Sequence, residues 1–288
     1  MKTLILGANG QLGKALADAG LGKSGVVSLD RSAVNIADAD NVLNTVREIR
    51  PDFIVNAAAY TAVDKAEAES ELAAAVNCEG PRNVALAARD CEARLIHIST
   101  DFVFDGDATS PYKPDAETNP QSVYGRTKRD GELAVLELMP ESAAVVRTAW
   151  LYSATGNNFV NTMLRLMRER PTLSVVADQI GTPTWANSLA EGIWRLVGKP
   201  GLSGVYHWTD TGQASWHEFA TAIRDEALEL GLLDRSIEIK PITTDEYPTA
   251  AARPRYSVLD CSSTYSTADL NPRHWRINLK LMLEGLVN

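Results

Sequence analysis

The segment Gly7-Ala8-Asn9-Gly10-Gln11-Leu12-Gly13 constrains this chain more than any other feature in it. It follows the apolar run Leu4-Ile5-Leu6 directly. That run suits one buried strand and is too short for a signal-peptide core or a membrane span. Leu12, Ala15, Leu16 and Ala19 then recur at helical spacing. In a strand-turn-helix unit with GxxGxxG spacing, the first glycine permits the tight turn and the second lets a phosphate approach the backbone. The third lets the helix pack closely on the strand. The helix start offers free N–H groups and a positive dipole end to an anion. In this context the pattern predicts a dinucleotide pyrophosphate site made by Gly7, Asn9, Gly10, Gln11, Leu12 and Gly13.

The rest of the first half repeats the strand-helix theme. Val26–Leu29, Phe53–Ala58 and Leu95–Ser99 read as strands. Between them, Val42, Val46 and Ile49 mark a helix that stops before Pro51, and Leu72, Val76, Val84, Leu86 and Ala87 mark one or two more. Such alternation implies βαβ units: an α/β fold with a Rossmann doubly wound parallel sheet. The second half is less regular. Ala143–Thr148 reads as one more buried strand, and Phe159, Val160, Met163, Leu164 and Met167 line one helix face. Trp194, Trp208, Trp216 and Trp275 fall among short polar connections. The expected division is a dinucleotide-binding domain over 1–151, with 186–209 returning to it. Residues 152–185 and 210–288 form a smaller C-terminal α/β substrate lobe over the carboxyl edge of the sheet, where open parallel sheets bind ligands.

Two further groups carry chemistry. Asp30 ends the second strand, where an acid hydrogen-bonds the adenosine ribose 2′-hydroxyl and favours NAD. Arg31 beside it suits a 2′-phosphate, so the pair suggests that both NADH and NADPH are accepted. Ala57-Ala58-Ala59 have side chains small enough to lie against the cofactor ribose, and Asn35 and Ile36 are placed to flank the adenine. Tyr124 and Lys128 form YxxxK, and positions i and i+4 share a helix face. A lysine cation about 4–5 Å from the phenol offers ~3–4 kcal/mol at an effective dielectric near 20, or roughly two pKa units. That would bring Tyr124 into a useful range for proton transfer. Lys128 can also hold the nicotinamide ribose. Thr100, at the end of its strand, is placed to hydrogen-bond a substrate carbonyl oxygen opposite Tyr124. The expected reaction is hydride transfer to that carbonyl, with Tyr124 donating the proton and Thr100 stabilising the developing charge.

Composition excludes other classes. Net charge is -9, from 37 acidic and 28 basic residues, with no basic stripe, so a nucleic-acid partner is not expected. Three cysteines, Cys78, Cys91 and Cys261, without CxxC spacing, argue against disulfide and zinc frameworks. They read as reduced and mostly buried, in a cytoplasmic protein with no membrane association.

Taken together, these segments resemble the dTDP-4-dehydrorhamnose reductases, extended short-chain dehydrogenase/reductases of rhamnose synthesis. The resemblance also rests on Arg50-Pro51-Asp52, Val55-Asn56-Ala57-Ala58-Ala59, Thr61 through Glu67 and Ser99-Thr100-Asp101-Phe102-Val103-Phe104-Asp105-Gly106. Arg147 through Tyr152, Gly156-Asn157-Asn158-Phe159, Asp178 through Thr184, Tyr247-Pro248-Thr249 and Arg253-Pro254 extend it over almost the whole chain. It implies reduction of the C4 ketone of dTDP-4-dehydro-L-rhamnose to dTDP-L-rhamnose with NADPH or NADH. It also implies Tyr124 as proton donor with Lys128 as its partner, Thr100 and Asp101 on the sugar, and Trp150 walling the sugar pocket. Related enzymes often use an asparagine at the position of Asn77 to organise the site. Arg253 is added as a diphosphate contact, because an anionic nucleotide-sugar calls for a cation.

The pattern departs from the family at two places. Some members bind magnesium at a dimer contact through acidic residues after the glycine-rich turn and after the GxPT-type segment. This chain has Lys14-Ala15 and Trp185-Ala186-Asn187-Ser188 there, so no metal site is expected, and the chain is read as a monomer or homodimer. Two other functions share parts of the pattern. A nucleotide-sugar epimerase or dehydratase would share YxxxK, but dehydratases place an Asp-Glu pair after the catalytic threonine, and Asp101 here precedes Phe102. A non-catalytic regulatory subunit of the methionine adenosyltransferase type need not keep Thr100, Tyr124 and Lys128, and all three are present.

Overall fold

The computed structural model describes residues 1–287. The chain opens with β1 (Thr3–Leu6), α1 (Gln11–Ala19), β2 (Val26–Leu29), α2 (Ala39–Ile49) and β3 (Phe53–Asn56). The Asp38 side chain caps α2 by accepting from Asn41 N–H at 3.0 Å. The helix ends at Arg50, in the left-handed region at φ 48°, just before Pro51. Next come α3 (Val63–Ala66), α4 (Ser70–Ala74), one π-helical turn (Ala75–Glu79) and α5 (Gly80–Asp90). After β4 (Arg94–Thr100) and a 3₁₀ turn (Asp101–Val103) come α6 (Val123–Leu138) and β5 (Ala143–Thr148).

The smaller lobe starts with β6 (Leu151–Tyr152), α7 (Phe159–Glu169), β7 (Thr172–Val176), β8 (Ile180–Gly181) and β9 (Thr184–Trp185). The chain then returns to the large lobe as α8 (Ala186–Val197) and β10 (Gly204–His207). It finishes with β11 (Ala214–Ser215), α9 (Trp216–Glu229), β12 (Glu238–Ile242), α10 (Ser262–Ala268) and α11 (Trp275–Glu284).

The large sheet has the order β10-β5-β4-β3-β1-β2, and every pair in it is parallel. Strand direction of travel reverses across β1, so the switch point lies between the carboxyl ends of β1 and β3. The strands are apolar on both faces because both faces are covered. Ile5, Phe53, Val55, Ile96, Ala144 and Val146 pack under α1 and α8. Their neighbours Leu4, Leu6, Ile54, Leu95, Ala143 and Val145 pack under α2, α5 and α6, as the period of two requires.

The smaller lobe has its own core, in which Val160, Met163, Leu164 and Met167 of α7 meet Phe219 and Ile223 of α9 and Leu279 of α11. Here β6 pairs with β9 and β7 with β12, both parallel, while β8 and β11 are antiparallel. Within 210–288, α10 packs on α8 and β10 instead.

Two local expectations are corrected. Three of the four tryptophans do not sit in connections: Trp194 lies within α8, and Trp216 and Trp275 open α9 and α11, while Trp208 lies in the connection after β10 and is fully buried. Only Cys261 is buried, while Cys78 and Cys91 are half-exposed, and all three thiols are free. Among the described residues no helix is long and apolar enough to cross a membrane.

Candidate active site

The glycine-rich turn is built by close backbone approach. Gly7 has φ +84°, and a Cβ there would stand 2.6 Å from Ala58 N. A Cβ on Gly13 would stand 2.1 Å from the Gly7 carbonyl oxygen. The turn is thus pressed against both the end of β3 and the first turn of α1. Gly10 caps α1 without any side-chain hydrogen bond, which leaves the N–H groups of Gln11, Leu12 and Gly13 bare for an anion.

A cleft of about 220 Å³ opens beside this turn. Gly7, Asn9, Gly10, Asp30 and Arg31 line it on one side. Asn35, Ile36, Ala57, Ala58 and Ala59 line it on the other. Two expected contacts present only backbone. The Leu12 side chain is buried in the core under α8, and Gln11 Oε1 accepts from Ser153 Oγ and Asn158 Nδ2, both at 2.9 Å. The Asp30 carboxylate accepts from Ser32 N–H at 2.9 Å, from Ser32 Oγ and from the Asn9 amide. The two bonds from Ser32 are the main reason it titrates below the ordinary aspartate range. Asp30 therefore braces the turn after β2 and ties it to the glycine loop, while Arg31 is exposed at its side.

Apart from the residues that line this cleft, Ser122 caps α6 by accepting from Gly125 N–H at 3.1 Å. The first turn of α6 carries Tyr124 and the second Lys128, next to the end of β4. Thr100, Asp101, Tyr124 and Lys128 are all buried. Thr100 Oγ1 donates to Asp101 Oδ1 at 3.0 Å and accepts from Phe102 N–H at 3.2 Å. Asp101 Oδ2 has no partner among the described residues. Burial pushes the Asp101 carboxyl up to about 6. The Tyr124 ring stands edge-on to Phe102, with centroids 5.5 Å apart. Lys128 Nζ donates to the Ile98 carbonyl at 2.7 Å, and burial lowers it to about 8 against the pull of Glu132.

This arrangement reverses the expected sign at Tyr124. From the spacing alone, Lys128 is expected to lower the phenol. Instead burial, and then the Asp101 carboxylate, push it up to about 12, with only a hydrogen bond to Thr100 opposing them. A buried phenolate would lose its hydration, and the lysine amine is engaged by the Ile98 carbonyl. A phenol in this state is protonated at neutral pH. It is an acid suited to an oxygen that gains negative charge, and a poor base.

Trp150 has φ +47° and stacks on Trp216 with centroids 3.4 Å apart. Trp216 and Arg253 line a second cleft, of about 700 Å³, beside α7, β7 and the 246–253 segment. Arg253 is paired there: Nη2 donates to Asp64 Oδ2 at 2.7 Å, and its guanidinium lies over the Phe102 ring. Asp64 also accepts from Ala251 N–H, so α3 is clipped to this segment across the mouth of the site. Asn77 falls in the π turn. Its Oδ1 accepts from Tyr60 N–H at 2.8 Å, and its Nδ2 donates to the Tyr60 carbonyl at 3.0 Å. It thus joins the loop after β3 to the helix packed on α6.

Sequence reasoning missed the polar groups beneath these residues. Asn56 and His97 lie wholly buried below Lys128. Glu132 and Arg147 form a buried two-pronged ion pair, at 2.9 and 2.7 Å, that locks α6 to β5. Their signal was a polar residue inside an otherwise apolar strand: Asn56 in β3, His97 in β4 and Arg147 in β5.

A family model described as the RmlD substrate binding domain matches residues 1–288. The chain is 45% identical over 283 residues to a dTDP-4-dehydrorhamnose reductase of Streptomyces griseus, covering 96% of this chain and 91% of the relative. It is 42% identical over 276 residues to a dTDP-4-keto-6-deoxy-D-glucose reductase of Streptomyces niveus, covering 94% and 93%. A solved dTDP-4-dehydrorhamnose reductase from Bacillus anthracis, in complex with NADP, is similar with a TM-score of 0.92 at 40% identity, covering 98% of this chain and 99% of that one.

Proposed function

The chain belongs to the RmlD substrate binding domain family, and from that premise we propose that it reduces the C4 ketone of dTDP-4-dehydro-L-rhamnose to dTDP-L-rhamnose. The observation that carries the reading is the buried set Thr100, Asp101, Tyr124 and Lys128 at the carboxyl end of β4. It shares the sheet edge with a glycine-rich turn whose helix start is bare.

A dinucleotide fits the first cleft. Any side chain at Gly7 or Gly13 would collide with backbone, and α1 has no competing cap. The amides of Gln11, Leu12 and Gly13 would hold the pyrophosphate. Asp30 and Arg31 would meet the adenosine ribose, with Asn35 and Ile36 beside the adenine and Ala57, Ala58 and Ala59 along the chain of the cofactor. NADPH or NADH, when bound, supplies the hydride. Lys128 holds the nicotinamide ribose. Thr100 and Tyr124 hydrogen-bond the C4 oxygen, and Tyr124 gives it a proton as its negative charge grows. Asp101 contacts the sugar, Trp150 with Trp216 walls it, and Arg253 exchanges Asp64 for the diphosphate. The lobe of 152–185 and 210–288 supplies Trp216 and Arg253. The enzyme works in the cytoplasm as a monomer or homodimer, a setting in keeping with three free thiols.

The test follows absorbance of the reduced cofactor with dTDP-4-dehydro-L-rhamnose as substrate. One cofactor oxidised per product supports the reading. Cofactor binding without net consumption would transfer support to an epimerase, which keeps its NAD through turnover.

A further inference from the structure

Gln11 opens α1, and its two halves face different lobes. Its N–H is one of the uncapped amides at the helix start. Its side chain crosses to the smaller lobe. The stem passes close to Gly156, where a Cβ would stand 3.4 Å from Gln11 Cγ. The carboxamide end is fixed by a chain of donors and acceptors. Asn158 caps α7, its Oδ1 accepting from Asn161 N–H at 3.0 Å. The amide nitrogen of Asn158 can only donate, and it reaches Gln11 Oε1 and the Ser153 carbonyl, both at 2.9 Å. Ser153 Oγ divides its one proton between Gln11 Oε1 at 2.9 Å and the Thr155 carbonyl at 2.6 Å.

Ser153 and Asn158 are buried, while 154–157 between them are exposed. From inside α7, Asn161 Nδ2 closes the loop by donating to the Gly156 carbonyl at 3.0 Å. Among the described residues, no other hydrogen bond ties 153–158 to the large lobe. One oxygen atom thus holds an exposed loop and the start of α7 against the glycine turn. That helix shapes the second cleft: Phe159, Thr162, Met163 and Leu166 line it. Phe159 also packs on Trp216, which stacks on Trp150.

We propose that Gln11 is a positioning residue for the sugar-nucleotide site: its side chain clasps the 153–158 loop and α7, so that a dinucleotide held on its N–H tightens the second cleft. The inference rests on the reading of the two clefts as cofactor and sugar-nucleotide sites. Its physical basis is order. A pyrophosphate on the amides of Gln11, Leu12 and Gly13 restrains the first turn of α1, and with it the direction of the Gln11 side chain. Part of the ordering of the loop is then already done when the second ligand arrives. The coupling is reciprocal, so a nucleotide in the second cleft favours the dinucleotide by the same factor.

Calorimetry on the full chain tests this without turnover, with NADPH and dTDP as the probes. Wild-type protein saturated with NADPH should bind dTDP at least about fivefold more tightly than the free protein does. Two variants cut the clasp from opposite sides. Asn158→Ser keeps a cap for α7 but loses the donor to Gln11. Gln11→Met keeps the length of the side chain but loses the acceptor. In each folded variant the affinity ratio should fall to about one. In the double variant dTDP affinity should fall no further than in the weaker-binding single variant, because both remove the same contact. A ratio of about one in the wild type, or a wild-type ratio in both variants, overturns the proposal. Either result leaves the reductase reading standing, because both probes still bind. Failure of either probe to bind the wild type would remove that reading and the proposal with it.

Discussion

The two parts of the proposed site are built in opposite ways. At the glycine-rich turn, function comes from missing side chains: bare amides at the start of α1, and backbone pressed on backbone at Gly7 and Gly13. At the end of β4, function comes from side chains buried until their ordinary chemistry no longer holds. Tyr124 is pushed up to about 12, Asp101 up to about 6 and Lys128 down to about 8. On the proposed reading the first part binds and the second reacts. The difference teaches that a pocket for phosphate needs donors with nothing in front of them, whereas a proton donor needs water kept away.

If that contrast is right, the largest effect is on chemistry without binding. Tyr124→Phe should lower kcat by about 10²–10⁴-fold while cofactor affinity, read by fluorescence titration, stays within about twofold. A fully active variant would break the assignment of the proton donor. The opposite pattern is expected in the other part. Gly13→Ala forces a Cβ to within 2.1 Å of a carbonyl oxygen, so α1 must shift. Cofactor affinity should then fall by about 100-fold, equivalent to ~3 kcal/mol, alongside a lower melting temperature. Unchanged cofactor affinity in calorimetry would show that the turn does not hold the pyrophosphate.

A smaller effect sharpens the electrostatic half of the comparison. Burial raises Asp101 from 3.8 to about 6 in the folded chain. The native state therefore keeps a proton that the unfolded chain releases. This contribution is fully present below pH 4 and is lost as pH rises through 6. Asp101→Asn should thus stabilise the protein at pH 8 by up to about 3 kcal/mol, and by little at pH 4. Urea melts at the two pH values measure this, and Asp210, which burial raises in the same direction, is common to both proteins and cancels. An equal gain at both pH values would mean that Asp101 is not held out of water. The smallest effect is expected at Arg253. Its partly exposed pair with Asp64 is worth little to the fold, so Arg253→Gln should leave stability nearly unchanged while raising KM about tenfold. A rise in KM for cofactor instead of sugar nucleotide would move Arg253 from the sugar-nucleotide site to the cofactor site.

Some of this was legible in the chain. The apolar strands Leu4–Leu6, Phe53–Val55 and Ala143–Val146 announce a sheet covered on both faces, because only such burial tolerates unbroken runs. The spacing Gly7, Gly10, Gly13 announces a tight turn into a helix, and YxxxK announces two side chains on one helical face. Each of these is a local rule about residues close in sequence. The Cys78 and Cys91 positions misled, since a small apolar residue type says little about which side of a helix it occupies.

Sequence by itself therefore determined the fold class, the tight glycine turn into α1 and the placing of Tyr124 and Lys128 on one helix. Tertiary structure alone decided their state. It set His97 and Asn56 side by side on neighbouring strands, brought Asp64 to Arg253 across the mouth of the site and stacked Trp150 on Trp216. It also reversed the expected direction of the Tyr124 shift. The physical reason is range: spacing reports which side chains share an element, but the energy of a charge depends on how much water the whole fold removes from around it.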